Sequence, residues 1–528
     1  MRNFLITAGI FFGMCLVYIL IMLSTTENYF TYILDDAYIH LAIAKNFAQH
    51  GVWGITEYGF SSSSSSPVFT CVVSVLIFVF GNHSLIPLIF NCIAAGLLVF
   101  YLNQYYALFF NRDRYIIWAC LFTLLFALVH VQIVSGMEHV LHMLIIAVNI
   151  YFFQKWWSSG CRDKVSTYGF YLTILFLGLI RFETMFYFVS LAFVFLWIKK
   201  FREALFVLVA GFVPILVFGY FNYAGSGYFF PNSLVVKGTL IDFSGNVFLQ
   251  VAEIALKKIV FNVSFYKIGL FPLIIGILLL YKDYRKGFGF QKVIISNFLI
   301  IVWSLALLLH CLFSEIKGVF RYEAYLLVAF SMVLIPKLKF FFTTPFIAFK
   351  KEKIIGIMVA VNIFLLIYKF IYAHMLVSAS SASIYSQQIQ SARFLKKYYN
   401  TSRVVANDIG AISYFTHIHL LDFMGLGSNE IVYFKVKNKK PDQKFENFLT
   451  EYSAKNHYQL AIVYEEWLDG HTPKNWKKVA CLKVKGKNFV LGEDHLFIYS
   501  IDPAIHHLLK ENVRNFKWNK NVEVTIIE

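Results

Sequence analysis

Apolar runs of bilayer-crossing length recur through residues 1–374, and no other feature restricts the fold of this chain so strongly. About 20 apolar residues are needed to carry a helix across a hydrocarbon core of roughly 30 Å. The first run, MRNFLITAGIFFGMCLVYILIMLS at 1–24, reaches that length with no small-residue cleavage signature after it, so it reads as an uncleaved first span. Further runs predict spans near 85–109, 115–133, 139–154, 168–180, 184–198, 203–222, 265–281, 293–313, 321–336 and 354–374. Only 15% of the residues are charged, against roughly a quarter in soluble domains. The class is therefore a polytopic α-helical membrane protein.

Pro67–Phe80 is the ambiguous segment, apolar but short of a full crossing. Charge placement gives it a side. If it lies along the outer interface, the clusters Arg112/Arg114, Lys155/Arg162/Lys164, Lys199/Lys200/Arg202, Lys282–Lys292 and Lys337–Lys353 all fall inside with Arg2. Eighteen basic residues are then inside and eight outside, with Lys369 set aside as lying within a span. Basic residues concentrate on the cytoplasmic side of membrane proteins, so this arrangement is expected: eleven spans, N-terminus in, C-terminus out. The same distribution explains the net charge of +17 without a nucleic-acid partner.

Residues 375–528 change character, holding 20 Lys and Arg among short β-rich runs. RVVAND, QLAIVY, KKVACLKV and HLFIYSI read as strands, Ala392–Tyr398 as a helix, and Gly410, Gly425, Gly427 and Gly470 as turn positions. Two domains are expected: a membrane domain at 1–374 and a soluble extracytoplasmic α/β domain at 375–528. Cys481 is alone in the tail, and no cysteine spacing suits a metal. Ser61–Ser66 followed by Pro67 reads either as a flexible linker or as the start of a helix, with Ser capping and Pro in the first turn.

With this topology, ionisable residues gather at the outer ends of apolar runs, where they are functional candidates. They are Asp35 and Asp36 with His40 and Lys45, Glu138, Arg181 and Glu183, Asn232 and Lys237, and Arg321 with Glu323. Structural alternatives stand beside each: Asp35 as a helix N-cap, Arg181 and Glu183 as a mutual pair, Lys45 as a snorkelling lysine. In the tail, Asp408 and Asp422 either stabilise turns or meet sugar. Five converging loops fit transfer of a group from a phosphate-bearing lipid: a carboxylate as general base, Lys and Arg on the phosphate. Neither a Walker loop nor a GxGxxG after a strand is present.

DDAYIHLAIAKN (35–46), the later Ser-Pro, SGME (135–138), RFE (181–183), FPNSLVVK (230–237) and NDIGAISYFTHIHLLDFMGL (407–426) together resemble a bacterial branch of the GT-C glycosyltransferases. That branch includes polyprenyl-phosphate-sugar-dependent mannosyl- and arabinofuranosyltransferase-like proteins. The resemblance implies interfacial helices in the first outer loop, a catalytic carboxylate there, and inverting transfer from a polyprenyl monophosphate sugar. By position Asp35 matches the leading acid and catalytic base, Asp36 its neighbour, and Lys45 a basic residue of the same helix. Glu138 matches the acid of the second outer loop, and Arg181 with Glu183 an Arg-x-Glu turn. Ala42 stands where relatives often carry Arg, and Phe182 where they often carry Pro.

The expectations are then specific. Asp35 and Asp36 are catalytic; Lys45, Arg181, Lys237 and Arg321 bind the donor phosphate; His40, Glu138, Glu183 and Asn232 support it or the acceptor. No metal is obligatory, with Mg²⁺ or Mn²⁺ held by Asp35, Asp36 and Glu138 as the alternative. The partners are a polyprenyl-phosphate-linked sugar, an envelope glycan or glycolipid acceptor and membrane lipid, in a bacterial inner membrane. Competing functions are a flippase or transporter of a lipid-linked saccharide, and an envelope scaffold whose tail binds glycan.

Overall fold

The computed structural model describes residues 1–528 except 239–243, 315, 317–320, 439 and 528. The side chain of Lys237 also lies outside the described residues, so its expected phosphate contact does too.

Long apolar helices make up the first part. Arg2–Thr25, Ile86–Ala107, His139–Ser158, Phe201–Ser226 and the helix beginning at Lys353 are long and apolar enough to cross a membrane. Two bent pairs bring that number to seven among the described residues: Asp113–Phe126 with Val129–Ser135, bent by 48°, and Phe290–Ser296 with Phe298–Phe313, bent by 79°. At the first bend Leu128 takes a φ of 52°, a left-handed conformation that breaks the ladder. Lys164–Ile180, Met185–Trp197, Leu270–Arg285 and Ala324–Lys337 are shorter helices in the same bundle.

Contacts at the two ends of the bundle fix the path of the short helix Pro67–Phe80. Arg2 pairs with Asp113, Lys339 donates to the Phe109 carbonyl at 2.6 Å and Lys282 pairs with Glu352, so these loops share one face. The helices Arg2–Thr25 and Ile86–Ala107 therefore leave and return to that face, and Pro67–Phe80 must begin and end on the other. Its flanks agree. The Ser66 hydroxyl donates to the Ile180 carbonyl at 2.7 Å, and the Asn82 side chain accepts from the Tyr414 hydroxyl of the tail at 2.8 Å.

The Ser61–Ser66 run is not a flexible linker. Five of its six serines are buried, and Ser62 donates to Asn222 while Ser63 donates to the Leu426 carbonyl at 2.8 Å. The serines keep the backbone compact and satisfied where an apolar chain would leave polar groups without partners. Pro67 does open the following helix, but the Ser66 hydroxyl is spent on Ile180 rather than on a cap.

The last apolar helix, Lys353–Ile384, continues through a π-helical turn at Tyr385–Ile389 into Gln390–Tyr398, so the expected boundary at 374/375 falls inside a continuous helix. Beyond it a six-stranded mixed sheet forms, in the order β2-β1-β3-β5-β4-β6. Its strands are β1 (Arg403–Ala406), β2 (His419–Asp422), β3 (Leu460–Val463), β4 (Lys477–Val484), β5 (His495–Ser500) and β6 (Val522–Ile526). β1 pairs in parallel with β2 and β3, and the remaining pairs are antiparallel. Four strands lie where the β-rich runs predict them; β2 and β6 are additional. The connection leaving β1 carries the helix Gly410–Phe415 to β2 on one side, while the chain returns to β3 on the other. The carboxyl end of β1 is thus a point where the strand order reverses.

Thiol labelling in intact cells tests this path. In a cysteine-free background, Asn82→Cys should react with an impermeant reagent directly, and Arg112→Cys only once the cytoplasm is opened. The reverse pattern would overturn the helix placement.

Candidate functional site

A cavity of about 130 Å³ opens where one end of the helix bundle meets the tail. Asp36, Ile39 and His40 reach it from the helix Asp36–His50, Ser63 and Ser65 from the serine run, and Arg181 and Glu183 from the turn before Met185–Trp197. Lys258 and Tyr322 add to the wall, and the tail contributes Leu426.

Its polar wall is a connected set of charges. Arg181 donates from Nη1 to Glu138 at 2.5 Å and from Nε to Glu183 at 3.1 Å. Glu138 is fully buried and meets His40 Nε2 at 3.3 Å; the other His40 nitrogen lies 3.1 Å from the Thr70 hydroxyl. Burial holds His40 below its ordinary value, outweighing the upward pull of Glu138, so the ring is neutral near pH 7. Burial pushes the Glu183 carboxyl up, but Arg181 more than offsets it, leaving Glu183 below its usual value. Arg321 stands behind Asp36 and donates to it at 2.6 Å. Tyr322 joins the two cations: the guanidinium carbons of Arg181 and Arg321 lie 5.2 and 4.9 Å from its ring centre.

The adjacent aspartates part company. Asp36 lines the cavity; Asp35 does not. The Asp35 carboxylate turns to the tail, accepting the Gly410 N–H at 2.7 Å and the Ala411 N–H at 2.8 Å. It sits at the N-cap position of its own helix but makes no cap bond there; it caps the helix Gly410–Phe415 instead. Burial first, and Asp408 second, raise its pKa against the pull of those two N–H groups. Successive helical residues diverge by about 100°, so two neighbouring acids cannot share one target.

Lys45 likewise faces the tail and not the cavity. Its ammonium donates to the Tyr414 carbonyl at 2.9 Å, the Ser413 carbonyl at 3.3 Å and the Thr416 carbonyl at 3.5 Å. Burial pulls its pKa down to about 8. Asn232 ties the loop to the tail, donating to Asn429 at 2.9 Å. Of the expected residues, then, Asp36, His40, Arg181 and Glu183 line the cavity, with Glu138 and Arg321 directly behind them; Asp35, Lys45 and Asn232 hold the tail. Asp35, Asp36 and Glu138 face three different partners, and among the described residues no group of three His, Cys, Asp or Glu is placed to hold a metal ion.

Four contributors escaped the sequence reading. Lys258 lies on an apolar-looking stretch, Tyr322 reads as an interfacial aromatic between two charges, and Ser63 and Ser65 are hidden in a low-complexity run. Both tail aspartates have hydrogen-bond partners within the described residues. Asp422 accepts the Met424 and Gly427 N–H groups at 2.8 and 2.7 Å, and Asp408 accepts from the Tyr464 hydroxyl and the Gln388 amide, each at 2.6 Å.

Removing Arg181 should harm the fold as well as the site, because it leaves the buried Glu138 and the half-buried Glu183 uncompensated. Arg181→Ala is expected to cost about 3–5 kcal/mol. Adding Glu138→Gln and Glu183→Gln should recover most of that loss in chemical denaturation. No recovery would mean that the three charges do not form a unit.

Residues 381–499 match the model of a domain of unknown function, DUF8728. No curated protein matches the sequence. The structure is similar to that of ArnT from Cupriavidus metallidurans, both bound to undecaprenyl phosphate (TM-score 0.51, 11% identity) and in the apo state (0.52, 12%). In each case the likeness covers 94% of this chain and 98% of ArnT. An oligosaccharyltransferase from Archaeoglobus fulgidus is also similar, at a TM-score of 0.48 and 11% identity over 98% of this chain and 76% of that one. The chain has the GT-C fold and is a multi-pass membrane protein.

Proposed function

We propose that this chain is a membrane glycosyltransferase that moves a sugar from a polyprenyl-phosphate donor to a hydroxyl of an envelope glycan or glycolipid. The reading places the cavity on the outer face of a bacterial inner membrane, with eleven spans, the N-terminus cytoplasmic and the tail outside. The observation that carries it is the Asp36 carboxylate in a cavity walled by Arg181 and Lys258, in a chain with the GT-C fold.

The chemistry follows from the charges. Asp36 takes the proton of the acceptor hydroxyl as its oxygen attacks the anomeric carbon, and Arg321 holds the carboxylate in place through their hydrogen bond. The bond from the anomeric carbon to phosphate breaks on the opposite side, so configuration inverts. The departing lipid phosphate gains charge, which Arg181 and Lys258 meet with hydrogen bonds. His40, Glu138 and Glu183 hold Arg181 in place. In this reading Asp36 takes the role that the sequence suggested for Asp35.

Asp36→Asn keeps the shape and removes the basic oxygen. Turnover by the purified variant with a polyprenyl-phosphate sugar should fall by roughly a hundred- to ten-thousandfold, with thermal stability retained. Unchanged turnover would sink the assignment. Cationic side chains neutralise the leaving phosphate here, so activity should persist in EDTA. Loss in EDTA with recovery on adding Mg²⁺ or Mn²⁺ would show that a cation does that work instead.

A further inference from the structure

We propose that Asp35 is a positioning residue that acts through Asp36, braced against the tail helix Gly410–Phe415. This rests on the reading of Asp36 as the base.

The helix Asp36–His50 is tied to one tail segment at two separated points. At its start, Asp35 holds the Gly410 and Ala411 N–H groups; ten residues on, Lys45 holds the carbonyls of Ser413, Tyr414 and Thr416. Ten helical residues span about 15 Å, so the two ties fix the rotation of the helix as well as its place. Rotation decides where Asp36 points. Each Asp35 carboxylate oxygen accepts one N–H, Oδ2 from Gly410 and Oδ1 from Ala411, which sets its direction, and its neighbour is aimed into the cavity about 100° away. The approach is close enough to require glycine: a Cβ on Gly410 would lie 2.2 Å from the Asp35 carbonyl oxygen and 2.8 Å from its Oδ2. The brace spans 375 residues of sequence, so the tail is a working part of the catalytic loop.

The test uses the full chain with a polyprenyl-phosphate sugar, comparing Asp35→Asn, Gly410→Ala and their double variant per folded molecule. Ala411→Pro serves as a second tail-side variant; it deletes one N–H donor in a first turn where proline is tolerated. Each single change should lower kcat about ten- to a hundredfold with donor KM nearly constant, as for a misaimed catalytic group. The double variant should be no worse than the weaker single, because both cut the same contact. Additive losses, or normal kcat in Gly410→Ala and Ala411→Pro, would overturn the proposal.

A covalent brace separates aiming from chemistry. The Tyr414 hydroxyl meets Asn82 at 2.8 Å, so Asn82→Cys and Tyr414→Cys can be bridged by a short thiol cross-linker in a cysteine-free background. Bridging should raise the kcat of Asp35→Asn; no gain once bridged would count against a positioning role. If Asp35→Asn stays inactive when bridged while Asp36→Asn turns over, the base is Asp35 and the functional reading itself falls. If Asp36→Asn is inactive while the tail-side variants turn over normally, only the positioning role is lost.

Discussion

The meeting of membrane helices and tail depends on one carboxylate that leaves its own helix to satisfy another. Asp35 is half-buried where an unpaired charge would be costly, and two backbone N–H groups from the tail make that position tolerable. A hydrogen bond of this kind contributes about 0.5–1.5 kcal/mol, and both are lost together if the tail moves away. Its place in the chain magnifies the effect. The next residue, Asp36, is the one that meets the cavity, so the geometry of docking and the geometry of the site are the same geometry.

The cavity is organised by a second economy of charge. Arg181 lies between Glu138 and Glu183, Arg321 lies against Asp36, and Tyr322 fills the space between the two cations with an aromatic face. Pairing of this kind lets several ions sit at the edge of an apolar bundle without each carrying its full desolvation cost. Neutral His40 extends the set to Thr70 and Ser64, joining the charged wall to the serine run.

Local patterns in the sequence were sufficient for the elements and insufficient for the partners. Charge bias expects Pro67–Phe80 along one face, and its two flanks do lie together at one end of the bundle, but length alone does not set it apart: Met185–Trp197 and Ala324–Lys337 are just as short. Alternating and continuous apolar runs mark β1, β3, β4 and β5. β2 was missed because HLLD is too short to show a period, and β6 because VEVTI follows a polar stretch at the end of the sheet. The site divides in the same way. That Asp35 and Asp36 matter is visible from their position after a span; which of them enters the cavity is not, because helical geometry separates their directions and the deciding contact comes from Gly410. The resemblance implies a donor-binding role for Lys45, yet the carbonyls that hold it belong to a segment with no local trace in its surroundings. Ser61–Ser66 misleads for the opposite reason: its composition suggests freedom, and burial removes it.

The reversal of strand order at β1 bears on what kind of object the tail is. In doubly wound domains the crevice outside the carboxyl end of such a strand is where a small molecule is received. Here the loop leaving β1 offers its amides at that location, and Asp35 of the same polypeptide is already seated on them. The tail is in this sense a receptor sold with its ligand attached: recognition has been converted into assembly, and the membrane domain is the molecule it recognises.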